Sequence, residues 1–170
     1  MLSKKIEEAF NRQINAELYS AYLYLSMSAA FQDRNLPGMA NWMRAQALEE
    51  MTHAEKFANH VNERGGRVVL AAIDGPPTEW DSPLAMFGDA YEHETKVTAL
   101  INDLVDLAIA EKDHAANNFL QWFVGEQVEE EDSADQIVQQ LKMVGDDKSS
   151  LFMLDREMGQ RAFSPVAENE

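Results

Sequence analysis

Five residues of types that bind metal ions lie among the apolar positions of four segments with helical periodicity. At 100° per residue, Glu17 falls within the apolar stripe of the first segment, and Glu50 and His53 fall within that of the second. Glu94 and Glu130 hold similar positions in the third and fourth segments. An unpaired buried carboxylate costs several kcal/mol, and the neighbouring lysines and arginines point away from these stripes. The pattern therefore predicts a divalent or trivalent cation as the missing counter-charge.

The same residue types recur in two matched halves of the chain. In each half a glutamate is followed, 33 and 36 positions later, by two more residues with ligand-type side chains. A spacing of three places the last two residues of each set on one face of a helix. If a pseudo-twofold axis relates the helix pairs, both sets meet at the centre of a bundle, as in di-iron carboxylate proteins. The two sets are Glu17, Glu50 and His53, and Glu94, Gln127 and Glu130.

The elements that must position these residues are four long helices. Turns at Pro37-Gly38 and at 111–113 make the first two helices antiparallel, and the last two likewise. A connection of about 17 residues can span the length of a helix, so the second and third helices can run parallel. We therefore predict an all-α fold, a four-helix bundle with one long crossover. The expected helices cover 4–33, 39–64, 83–111 and 115–144. The expected apolar stripe of the first helix consists of Phe10, Ile14, Leu18, Ala21 and Leu25.

Length and composition restrict the class of protein. We expect one domain over 1–170, with the bundle at about 4–144, a short fifth helix at about 149–159 and a loose tail at 162–170. The absence of cysteine excludes disulfides, iron–sulfur clusters and cysteine nucleophiles. A net charge of −16 disfavours nucleic acid and anionic membranes as partners. The chain shows no apolar stretch near the roughly 20 residues of a membrane span and no signal-peptide core, so a cytoplasmic location is expected.

Four motifs carry a resemblance to a known family, namely Glu17-Leu18-Tyr19, Glu49-Glu50-Met51-Thr52-His53, Tyr91-Glu92-His93-Glu94 and the segment 119–131. In combination they resemble the bacterial non-haem ferritins, which belong to the ferritin-like di-iron carboxylate proteins. The similarity extends over nearly the whole chain, including the fifth helix. It implies a ferritin-like fold, a hollow shell of twenty-four identical subunits, oxidation of Fe(II) by dioxygen or peroxide, and storage of a ferric oxide mineral.

The resemblance also implies ligands for a di-iron ferroxidase centre. Glu50 matches a carboxylate that bridges both irons, and Gln127 lies close to the second iron. Permanent di-iron cofactors repeat Glu-x-x-His where this chain has Gln127-x-x-Glu130, which leaves one imidazole and a more weakly held second iron. Our hypothesis is that the centre passes Fe(III) onward to a mineral. The residues that match ligands are Glu17, Glu50 and His53 for one iron, and Glu94 and Glu130 for the other.

Two further roles follow from the resemblance alone. Glu49, Glu126 and Glu129, together with Glu130, match a third iron site that neighbours the di-iron centre of bacterial ferritins. Tyr24 matches a tyrosine beside that centre.

Three other functions remain open at this point. Met51 matches the haem-ligating methionine of bacterioferritins, but their second Glu-x-x-His is replaced at Glu130, so iron without haem is expected. A rubrerythrin-like di-iron peroxidase is possible only in a stand-alone form, because its rubredoxin domain needs cysteines. A metal-free helical oligomer would leave the buried carboxylates unexplained.

Overall fold

Five α-helices make up the fold, which the computed structural model describes over residues 2–163. Within that range there is no strand, and each long helix begins and ends within two residues of its predicted bounds. The all-α prediction is therefore confirmed, while the expected tail at 162–170 lies almost wholly outside the described residues. The helices are α1 (Lys4–Asp33), α2 (Pro37–Glu63), α3 (Pro83–Ala110), α4 (His114–Val144) and α5 (Lys148–Met158).

Capping side chains determine where three of the long helices begin. Ser3, Ser82 and Asp113 each accept a hydrogen bond from the backbone N–H three residues further on, which satisfies an otherwise unpaired donor. Arg64, at the end of α2, also binds Asp113, with its Nη2 3.0 and 3.1 Å from the two carboxylate oxygens. This charge-assisted contact, from one nitrogen to both carboxylate oxygens, joins the end of α2 to the start of α4.

The crossover at 64–82 runs along α1. The Asn11 amide donates to the carbonyl oxygen of Arg67 at 2.9 Å, and further along α1 the Ser26 hydroxyl donates to that of Pro77 at 2.6 Å. The crossover therefore runs in the direction of α1 and returns the chain to the end of the bundle where α2 begins. From there α3 runs antiparallel to α1 and parallel to α2, as the connection length predicts.

A polar layer divides the apolar core into two clusters. One cluster fills the end of the bundle near the start of α2, and the other fills the opposite end. The main aromatic and methionine side chains are Met27, Phe31, Met43 and Phe87 in the first cluster, and Phe10, Phe57 and Phe123 in the second. The layer between them is where the predicted metal ligands lie.

One residue of the predicted apolar stripe is misplaced. Leu25 is 42% exposed, whereas Phe10, Ile14 and Ala21 are buried. At 100° per residue Leu25 lies about 80° around α1 from Glu17, which is at the centre of the buried face. The buried face of α1 is therefore rotated away from the predicted stripe, toward the side that carries Ile6, Leu23 and Met27.

Candidate metal centre

All six residues predicted for the di-iron centre are buried in the polar layer. Each of the four long helices contributes, because the same face of each helix also carries the apolar side chains above and below the layer. Their exposed fractions are 1% for Glu17, 2% for Glu50, His53 and Glu94, 4% for Gln127 and 6% for Glu130.

One set of possible ligands consists of Glu17, Glu50 and His53. One ligand atom from each lies within 4.8 Å of the others, and the His53 Nδ1 is 3.4 Å from the Glu50 Oε2. The Glu17 Oε2 and the His53 Nε2 are buried without a hydrogen-bond partner among the described residues. Buried polar atoms are almost always satisfied, so these orphaned atoms indicate a missing ligand. Two carboxylates and an imidazole fit Fe(II) or another borderline or hard divalent ion.

A second set places His53 opposite Glu126 and Glu130. Again one ligand atom of each lies within 4.8 Å of the others, and the His53 Nε2 is 4.0 Å from the Glu126 Oε1. His53 therefore faces carboxylates through both ring nitrogens. When one nitrogen of a histidine binds a metal, a carboxylate facing the other commonly fixes the orientation of the ring.

Glu94 differs from the other predicted ligands, because hydrogen bonds hold both of its oxygens. The Tyr24 hydroxyl donates to the Glu94 Oε1, and the Gln127 amide lies 3.3 Å from the Glu94 Oε2. The same amide is 3.3 Å from the Thr98 hydroxyl. The structure thus brings Glu94 together with Tyr24 and Gln127, and among residues 2–163 it places Glu94 in neither three-ligand set.

Two buried glutamines that the sequence analysis missed hold the ligands from the side. The Gln13 amide donates to the Glu17 Oε1 at 2.8 Å, and the Gln46 amide donates to the Glu130 Oε2 at 2.7 Å and the Glu50 Oε1 at 3.2 Å. A signal for both exists in the sequence. Each glutamine stands four residues before a ligand glutamate, on the same helix face, and the two are 33 positions apart like those glutamates.

The second half of the repeat has no such glutamines. The equivalent positions, 77 residues further on, hold Ala90 and Phe123, both of which are buried. The two halves of the centre therefore share their carboxylates but differ in the groups that support them.

Two of the four residues expected at the third site, Glu126 and Glu130, lie in one three-ligand set with His53. The Glu49 carboxylate pairs with Arg161, which follows α5, while Glu126 is half-buried and Glu129 is exposed. Among the described residues, neither three-ligand set contains Glu49 or Glu129. Sequence reasoning missed Arg161, which is 112 positions from its partner.

Burial raises the pKa of the carboxyl groups in the layer. The pKa of Glu17 rises to about 8, first because of desolvation and then because of the negative charge of Glu50. Desolvation likewise raises the pKa of Glu50 and Glu130 well above the usual range, and that of Glu94. Without metal, Glu17 therefore keeps its proton near neutral pH, the other three carboxyl groups hold theirs more tightly than exposed ones do, and a bound cation displaces these protons.

Tyr24 lies between the centre and a half-buried histidine. Desolvation and the charge of Glu94 hold the pKa of Tyr24 well above its ordinary value. The edge of its ring faces His93, whose Nε2 is 2.8 Å from the Ser20 hydroxyl. Burial lowers the pKa of His93 to about 4, so this histidine is neutral at pH 7 and adds no charge beside Tyr24.

Comparison with known proteins gives one consistent family. A family model described as a ferritin-like domain matches residues 7–144. A bacterial non-heme ferritin of Bacteroides fragilis is 46% identical over 161 residues, which cover 95% of this chain and 100% of the relative. A probable bacterial non-heme ferritin-like protein of Haemophilus influenzae is 40% identical, covering 94% of this chain and 96% of the relative.

Solved structures give the same answer. A novel open pore ferritin from the hyperthermophilic archaeon Archaeoglobus fulgidus superposes with a TM-score of 0.94 at 56% identity, covering 95% of this chain and 99% of that one. A closed form of the Archaeoglobus ferritin engineered by mutagenesis gives a TM-score of 0.96 at 55% identity, covering 96% of this chain and 100% of that one.

None of the helices among residues 2–163 is long and apolar enough to cross a membrane.

Proposed function

This chain belongs to the ferritin family, and we propose that it oxidises Fe(II) at a di-iron centre within each subunit and stores the Fe(III) as a ferric oxide mineral. Iron storage agrees with the non-heme ferritin names of its relatives. The observation that carries the proposal is the buried set of Glu17, Glu50 and His53, in which the Glu17 Oε2 lacks a hydrogen-bond partner among the described residues.

Glu50 is the residue we assign to both irons. The negative charge of Glu50 raises the pKa of Glu17 on α1 and of Glu130 on α4. The charge of Glu94 on α3 in turn raises the pKa of Glu50. A carboxylate in that central position is suited to bridge a first iron at Glu17 and His53 and a second at Glu94 and Glu130. Gln127 then orients Glu94 through its 3.3 Å contact.

The reaction requires two electrons and two protons. Two Fe(II) ions become two Fe(III) ions, and dioxygen with two protons becomes hydrogen peroxide; with hydrogen peroxide as oxidant the product is two waters. The buried carboxyl groups lose protons when iron binds, because their charged form then has a partner. Oxygen ligands also favour the hard Fe(III) product, and with one imidazole in the centre we expect the second iron to leave for the mineral.

We further propose a hollow shell of twenty-four subunits in the cytoplasm, with no haem. The structural relatives include an open pore ferritin and an engineered closed form. The size of the pores in the shell therefore does not follow from membership of the family. Light scattering and electron microscopy of the purified protein test the shell. A particle of a few subunits that holds only two irons per chain would instead favour the peroxidase alternative.

Substitution of the ligands tests the centre. We expect Glu50→Ala and His53→Ala to lower the initial rate of Fe(II) oxidation roughly tenfold or more, since even residues that only support a metal site cost that much. Glu55→Gln is the matched control, because Glu55 is exposed on the same helix. Size-exclusion chromatography checks that the variants assemble. Oxidation at the wild-type rate in both ligand variants would place the chemistry elsewhere.

A further inference from the structure

Arg161 is anchored against the face of α2 that carries Glu49. Its guanidinium forms an ion pair with the Glu49 carboxylate and stacks on the ring of Trp42, 4.2 Å from the ring centroid. The Asn41 amide donates to the backbone oxygen of Arg161 at 2.8 Å. Three contacts of different kinds thus fix one residue beyond the end of α5.

The ion pair is shielded from water. The side chains of Arg161 and Glu49 are 23% and 19% exposed, and one Nη of Arg161 is buried without a hydrogen-bond partner among residues 2–163. An ion pair in such surroundings is stronger than one on the open surface. A metal ion at Glu49 would have to break it and leave the guanidinium without its counter-charge.

Two of the other carboxylates expected at the third site, Glu130 and Glu126, also have neighbours of their own. Glu130 accepts a hydrogen bond from Gln46, and Glu126 faces His53 and lies in the field of Lys56, whose Nζ is 4.4 Å from the centre of the Trp122 ring. The positively charged side chains of Arg161 and Lys56 therefore flank this side of the centre.

We propose that Arg161 takes the place of a metal ion at Glu49, so that each subunit binds two metal ions tightly and a third only weakly. The inference rests on the proposed function, because it concerns the number of ions held beside the di-iron centre. Arg161 acts as a positioning residue here, since it touches a carboxylate and not the reacting irons. The segment after α5 thereby sets the stoichiometry of the centre.

Zinc titration of the assembled, metal-free protein tests the proposal, because Zn²⁺ binds the same ligands without redox chemistry or mineral growth. By calorimetry we expect two tight sites per subunit in the wild type and three in Arg161→Gln, with at least a tenfold gain at the third. Arg161→Lys keeps the charge and should remain at two. Arg44→Gln is the matched control, since Arg44 is exposed on α2.

The position of the bound zinc provides a second readout that a change in folding would not mimic. Anomalous scattering from zinc-soaked crystals should show an ion at about 2.0–2.2 Å from the Glu49 carboxylate in Arg161→Gln and none there in the wild type. The double variant Arg161→Gln, Glu49→Gln should return to two tight sites.

Each contrary result has a distinct meaning. Zinc at Glu49 in the wild type, or an unchanged count of two in Arg161→Gln, overturns the role of Arg161 and leaves the di-iron centre intact. Loss of tight binding in every protein, the wild type included, overturns this proposal and the proposed function together.

Discussion

Glu17 shows how burial changes the acid–base behaviour of a single residue. Its pKa of about 8 lies far above the usual value of 4.5, because a carboxylate at 1% exposure loses its hydration and faces Glu50. The folded protein therefore holds a proton that the unfolded chain releases between pH 4.5 and 8. Over that window the free energy of unfolding of the metal-free protein falls as pH rises, by at most about 1.4 kcal/mol per pH unit for this group.

The variant Glu17→Gln removes this titration while keeping a similar shape. We expect it to be more stable than the wild type without metal at pH 8, and the advantage to shrink toward pH 5. Urea unfolding of the two proteins at several pH values, with a chelator present, measures the difference. A stability difference independent of pH would show that Glu17 does not titrate in this window.

Gln46 is a second residue whose substitution should have a measurable effect, here on the affinity of the centre for metal ions. Replacing it by alanine removes the hydrogen bonds to Glu50 and Glu130, so the two carboxylates lose the group that holds them together. We expect zinc affinity of the centre to fall about 10–100-fold. Gln139→Ala, at an exposed glutamine on α4, should bind zinc like the wild type. Equal affinity in both variants would leave Gln46 a packing role only.

The sequence predicts the ligands better than their supports, for a physical reason. Glu17, Glu50 and His53 are detectable because charged groups on an apolar face have no other explanation. Gln13 and Gln46 are uncharged, so their burial is less anomalous, although their spacing repeats that of the glutamates. Arg161 depends on how the chain folds back beyond α5, which no local pattern encodes.

At the scale of elements, α5 docks on the start of α2 through a very close approach. The Asp155 carboxylate accepts a hydrogen bond from the Met39 backbone N–H at 2.9 Å and so caps α2, which has no side-chain cap of its own. A Cβ on Gly38 would lie 1.6 Å from the backbone oxygen of Asp155. The glycine therefore allows the contact that fixes α5.

Gly38→Ala is expected to push α5 away from α2 and to lower the thermal stability of the protein. Gly88→Ala is the control, because a Cβ there meets nothing within 4 Å. In mid-helix it should be neutral or stabilising by up to about 1 kcal/mol. Calorimetric melting of both proteins checks the contrast, and equal melting temperatures would contradict the tight docking.

Helix bounds were accessible from sequence, while the packing of α5 was not. Ser82 and Asp113 mark helix starts by chemistry that acts over a few residues, and Pro37, which we expected in a turn, is the first residue of α2. The cap from Asp155 to Met39 joins residues 116 positions apart, so it exists only after the bundle has formed.

For the whole molecule, a net charge of −16 matters for how cations arrive. An acidic surface raises the local concentration of Fe(II), and salt screens that attraction. We expect the rate of Fe(II) oxidation at low iron to fall about tenfold between 10 mM and 500 mM salt, while the rate at saturating iron changes little. Stopped-flow absorbance at both iron levels makes the comparison. An equal loss of rate at both iron concentrations would indicate that salt acts on the oxidation step and not on the capture of Fe(II).

The hydrogen bonds that hold Glu94 on one side of the centre impose an order on the occupation of the two metal positions. On the α1–α2 side the Glu17 Oε2 has no hydrogen-bond partner among residues 2–163, whereas on the other side Glu94 must first give up Tyr24 and Gln127. A first metal ion should therefore enter at Glu17 and His53, and only the next at Glu94. Protein given one iron per subunit would then be a single chemical species, with one Mössbauer doublet, and not a statistical mixture of half-filled forms.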